Sequence, residues 1–107
     1  MRKAEIKYLD RTAGWLIQDE EGYHFFYDQA YLDSRDPKPV SLTLPLQKAG
    51  YMSLTMFPFF DGLIPEGWLL DVAERNWKLD PRDRMGLLMN CCKDCLGAVS
   101  VQPVIKE

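Results

Sequence analysis

Apolar and polar residues alternate through the first quarter of the chain and again near its end, while residues 66–92 repeat with a helical period. Residues 2–9 place Ala4, Ile6 and Tyr8 on one face and Lys3, Glu5 and Lys7 on the other, the pattern of a strand with one wet side. Residues 10–12 turn the chain. Trp15 and Ile17 then stand two apart, and Asp19, Glu20, Glu21 and Gly22 form a turn signal, so a hairpin is predicted. Its second strand carries Tyr23, Phe25 and Tyr27 on one face and His24 and Phe26 on the other, which makes His24 a hydrogen-bonded sheet residue rather than a catalytic one. Residues 30–32 suggest a single turn, and residues 33–39 a polar, proline-bearing loop. Val40, Leu42, Leu44 and Leu46 alternate with Ser41 and Thr43, predicting a half-buried antiparallel strand that Pro45 ends or places at an edge.

Residues 56–68 hold four aromatics, two prolines and two glycines, a composition that excludes a free amphipathic helix and predicts a bent, packed junction. One helical turn starting at Pro58 gathers Phe59, Phe60, Leu63 and Ile64 on one side and breaks at Pro65. Residues 66–78 then set Leu69, Val72, Ala73 and Trp77 on one helical stripe. A second helix is expected from Asp80 as N-cap with Pro81 at its first position, carrying Met85, Leu88, Met89 and Cys92 inward and ending near Gly97. A closing strand over residues 98–104 turns Val99 and Val101 to one face. The order gives an α+β fold, an antiparallel sheet or partial barrel covered by two to three helices, with Trp15, the aromatics of residues 57–60 and the helical stripes as core.

With 107 residues, the chain suits one domain spanning 1–107. Thirteen basic against sixteen acidic residues, with no basic stripe, argue against direct nucleic-acid contact. No long apolar run follows the charged start, so neither signal peptide nor membrane span is expected, and the cytoplasm is the expected location. Cys91, Cys92 and Cys95 form an odd cluster that suits reduced thiols. The spacing of Cys92 and Cys95 fits redox or zinc chemistry, yet four ligands would require His24, far away in sequence. No phosphate-cradling loop occurs, and the acid pairs Asp61 with Glu66 and Asp71 with Glu74 lack a companion that would split their pKa values. The reading is a protein without catalytic residues, cofactor or metal.

Trp68 stands apart. It lies about 100° around the helix from Leu69, off the inward stripe, where it either packs beneath a loop or projects as a partner anchor. Phe60, Leu63, Ile64 and Glu66 extend that candidate partner-binding patch, although the first three also suit the core.

The junction and the C-terminal part together carry a resemblance. Phe59, Phe60, Asp61, Gly62, Leu63, Ile64, Pro65, Glu66 and Gly67 are similar to a Phe-Phe-x-Gly-Leu-Leu-Pro-Glu-Gly segment, and residues 94–100 to Asp-Cys-x-Gly-Ala-Val-Ser. Tyr27, Tyr31, Leu32 and residues 40–46 resemble its Tyr-Asp-x-x-Tyr-Leu and Ser-Leu-Ser-Leu-Pro-Leu pieces. The family is the N-terminal subdomain of HipA-type serine/threonine kinase toxins. In the full-length family the ATP-binding and catalytic residues follow this subdomain, so none is carried over here. The resemblance implies either a fragment of a larger kinase, with a structural and non-inhibitory role, or a separate HipS-like antitoxin. The latter neutralises a HipT-like kinase in a complex completed by a HipB-like DNA-binding protein. The Met1 start and short charged end favour the second alternative, and Trp68 as anchor rests on its position in the helix rather than on the motif.

Overall fold

The computed structural model describes residues 2–64, 83–91 and 98–104. Five strands form one antiparallel sheet: β1 (Arg2–Tyr8), β2 (Arg11–Asp19), β3 (Gly22–Tyr27), β4 (Tyr51–Ser53) and β5 (Val99–Pro103), in the spatial order β4-β3-β2-β1-β5. Three short helices accompany it among the described residues, α1 (Gln29–Leu32), α2 (Pro58–Asp61) and α3 (Arg84–Cys91). The expected α+β architecture is therefore the observed one.

The first three strands form a meander with two-residue turns. Leu9 and Asp10 both adopt positive φ, 49° and 67°, the combination that matches the twist of the flanking strands but that side chains other than glycine disfavour. The second turn closes on the pair of Asp19 with Gly22, whose φ of 135° suits glycine alone. Asp19 Oδ1 accepts the backbone N–H groups of Glu21 and Gly22 there. Between these turns β2 bulges: Ile6 faces Gly14 and Lys7 faces Thr12, leaving Ala13 unopposed. Ala13 is fully buried and gives its carbonyl to the Asp28 N–H at 2.8 Å. The bulge thus fixes the exit of β3 into α1, whose N-cap is the Asp28 side chain.

Alternation assigns Ala4, Ile6, Leu16, Phe25, Tyr27, Val99 and Val101 to one face, and all are buried in one core that also takes in Phe60 of α2 and Met85, Leu87 and Leu88 of α3. Phe25 is the hub. Its ring centroid lies 5.0 Å from Tyr27 and 5.3 Å from Phe60. Gly14, directly across the bulge, is required by that approach, since a Cβ there would lie 2.5 Å from the Phe26 carbonyl oxygen and 3.0 Å from the Phe25 ring.

Three sequence expectations are corrected. Trp15 is not in the core: its parity places it with Ile17, on the face opposite Leu16, and it is half-buried. Residues 40–46 are no strand; only an isolated bridge from Ser41 to Leu44 forms, Val40 and Leu44 are buried, and Leu42 is 97% exposed. What orders this loop is a set of tyrosines. Tyr27 Oη donates to the Leu44 carbonyl and accepts the Val40 N–H at 3.1 Å. Tyr31 Oη bridges the carbonyl and N–H of Lys38, and Tyr51 Oη donates to the Pro45 carbonyl at 2.6 Å. Burial pushes the Tyr27 hydroxyl up to about 12. The third correction is the start of α3, capped by Asp83, whose Oδ1 accepts the Gly86 N–H at 3.2 Å; Asp80 and Pro81 lie outside the described residues. β4, three residues long, was not expected at all.

Candidate functional site

The junction is built as its composition dictates. Phe57 precedes α2, Pro58 occupies its first turn, and the helix ends after one turn at Gly62. Phe59 and Phe57 meet Phe60 edge-on, with centroids 5.2 and 6.2 Å apart. Arg84 of α3 donates from Nε and Nη2 to the two carboxylate oxygens of Asp61 at 2.5 and 3.2 Å, tying junction to helix. A second ion pair works the same way. Arg2 grips the Asp83 carboxylate with both terminal nitrogens, one at 2.8 Å, and also reaches the Gln18 side chain. The hydrogen bond from Arg2 holds the Asp83 carboxyl below the usual carboxylate range despite partial burial.

Of the residues read as partner-facing, Phe60 is fully buried and Ile64 is 6% exposed, so both belong to the core. Neither side chain has surface to offer a partner while the domain stays closed. Leu63 is half-buried and packs against that core. Trp68 and Glu66 lie outside the described residues, as do Asp71, Glu74, Cys92 and Cys95. Among the described residues no cluster of His, Cys, Asp or Glu is arranged to hold a metal ion, and no helix is long and apolar enough to cross a membrane. His24 is a paired sheet residue, as its pattern predicts: Nε2 lies 3.0 Å from Asp19. That hydrogen bond, with the turn N–H groups, holds the Asp19 carboxyl below its ordinary value.

The opposite face of the sheet carries what the sequence reading missed. Trp15 faces Phe26, and Ile17 faces His24, which in turn faces Met52. Four large apolar side chains therefore lie in two adjacent rows on the side away from α2 and α3. Lys3 covers part of it, its ammonium 4.5 Å from the Trp15 ring centroid. An open groove of about 420 Å³ runs over Ile17, Phe26 and Met52, with His24 between Ile17 and Met52 and Asp19 at the hairpin end. The signal was present in sequence, since Trp15 and Ile17 share parity and Phe26 opposes Phe25. Only the pairing decides which face is wet.

The chain is similar along its whole length to known proteins. Residues 4–102 match the HipA N-terminal domain model. An uncharacterized protein of Haemophilus influenzae is 32% identical over 102 residues, covering 95% of this chain and 92% of that protein. A putative kinase of Sinorhizobium fredii, Y4mE, is 31% identical over 108 residues, but the chain spans only 26% of its length. The solved structure of the N-terminal domain of HipA toxin superposes with a TM-score of 0.79 at 29% identity, covering 100% of this chain and 96% of that one. The family model over residues 4–102, the relatives and the shared fold agree: the chain belongs to the HipA N-terminal domain family.

Proposed function

We propose that this domain acts as an antitoxin: it binds a HipT-like or HipA-like serine/threonine kinase in the cytoplasm and holds it inactive, with a HipB-like DNA-binding protein in the same complex. It works by binding and not by catalysis. The observation that carries this reading is the Haemophilus influenzae relative, of which this one domain makes up 92%: there the domain exists with almost nothing attached. A domain of that kind meets its kinase as a separate chain. Family membership supports a HipA-like kinase as the partner, since the N-terminal domain of HipA toxin shares the fold.

The Sinorhizobium relative favours a second reading, in which the domain is a structural part of a kinase about four times longer and inhibits nothing. Co-expression with the kinase encoded beside it separates the two. Growth rescue together with co-purification supports the antitoxin; co-purification without rescue supports the structural part; the absence of both rescue and co-purification overturns both readings. A Trp68→Ala variant belongs in the same experiment, because the sequence marks Trp68 as the anchor. Loss of rescue by a folded Trp68→Ala chain supports that role, and full rescue refutes it.

A further inference from the structure

The groove on the outer sheet face breaks the rule that a sheet covered on one side shows polar residues on the other. Ile17, Phe26 and Met52 form its apolar floor, and Met52 is 55% exposed. Its charge is one-sided. Asp19 stands at one end, its carboxylate held by His24 and the turn N–H groups, and the exposed Glu20 and Glu21 follow it in the turn and leave their charge to solvent. Lys3, the basic residue in the same cross-strand row as Ile17, is engaged over the Trp15 ring. The floor calls for an apolar side chain and the rim for a cation.

We propose that this groove seats a segment of a partner protein in which an aliphatic or aromatic side chain lies within two residues of a lysine or arginine. The apolar group rests on Ile17, Phe26 and Met52, and the cation reaches the exposed Glu20 and Glu21 beyond the Asp19 end. This surface is separate from the junction and from Trp68 in sequence, and does not depend on the antitoxin reading.

The test uses the isotope-labelled chain and capped peptides. Ac-Gly-Leu-Gly-Arg-Gly-amide is titrated to about 10 mM, the range expected for so small a contact, beside the versions with Glu for Arg and Ser for Leu. The expected result is a shift of the Ile17 and Met52 methyl and His24 ring resonances, with the Arg peptide binding about fivefold tighter than the Glu peptide at low salt. Glu20→Lys with Glu21→Lys, two exposed turn positions, is expected to reverse that preference. Equal response to the Arg and Glu peptides, shifts confined to other residues, or no shift over the range overturns the proposal. So does a concentration-dependent shift of the same resonances without peptide, which would assign the groove to a second copy of the chain.

Discussion

Replacing Tyr27 with Phe removes one oxygen and leaves the ring packing intact. The ring keeps its edge contact with Phe25 at 5.0 Å and its stacking on Tyr31 at 6.3 Å. What is lost is the partner of two backbone groups, the Val40 N–H and the Leu44 carbonyl, in residues that are 6% and 4% exposed. Each buried group left unpaired costs about 1–3 kcal/mol, and partial access of water to a loop lowers the pair to about 2–3 kcal/mol in all. For 107 residues this corresponds to a fall in Tm of about 9–13 °C. Tyr51→Phe is the internal control: it removes a similar hydroxyl–carbonyl bond, to Pro45, at an exposed site where water replaces it, for about 0.5 kcal/mol or less. Urea titration of both variants checks the difference, and hydrogen exchange at the Val40 amide locates it. If Tyr27→Phe costs no more than Tyr51→Phe, or if the Val40 amide is unprotected in the parent, the tyrosine does not order the loop.

Three further outcomes are expected. Gly14→Ala drives a Cβ into the Phe26 carbonyl and the Phe25 ring and should destabilise by about 2–3 kcal/mol in denaturant, with methyl shifts confined to β2 and β3. Leu9→Asn with Asp10→Gly relieves two positive-φ side chains and removes a 66% exposed leucine, so stability should rise by about 1–2 kcal/mol, read from the urea midpoint. The Asp83 carboxyl titrates below its unfolded value. Its contribution is complete above that value, near pH 4, and is lost as pH falls through the lowered one. Both side chains of the Arg2 pair are more than a third exposed, which limits the effect to about 0.5–1 kcal/mol. Asp83→Asn, which can still cap α3, should flatten the acid limb of stability against pH by that amount.

Most of the sheet was legible because its strands alternate cleanly and because one face of each meets the core. The junction was legible for another reason: Pro58 opens a run whose apolar spacing fits one turn, although the helix ends at Gly62 and not at Pro65 as expected. The failures share a cause. Residues 40–46 alternate like a strand, but they have no neighbouring strand to pair with, and their order comes from Tyr27 and Tyr51, which alternation cannot connect to them. Trp15 was placed in the core as a large aromatic in a strand, whereas the bulge at Ala13 sets both Ala13 and Gly14 inside and turns Trp15 to the other face. β4 is too short to show a period. Of the candidate partner surface, the sequence offered Trp68 but not the groove, since an apolar residue on a wet face looks like any other until the register is known.

The pairing of β5 with β1 has a consequence for how the protein is made. Val101 faces Ile6, and the Val104 N–H reaches the Lys3 carbonyl, so almost the entire chain lies between two strands that touch. At about 5–20 residues per second of synthesis, β1 waits several seconds on the ribosome with that edge bare before its neighbour emerges. Its apolar positions, Ala4 and Ile6, are offered over that interval to any strand nearby. The charged residues between them, Lys3, Glu5 and Lys7, keep that waiting edge soluble, and replacing them with apolar residues should lower the yield of native protein during synthesis before it changes the stability of the finished fold.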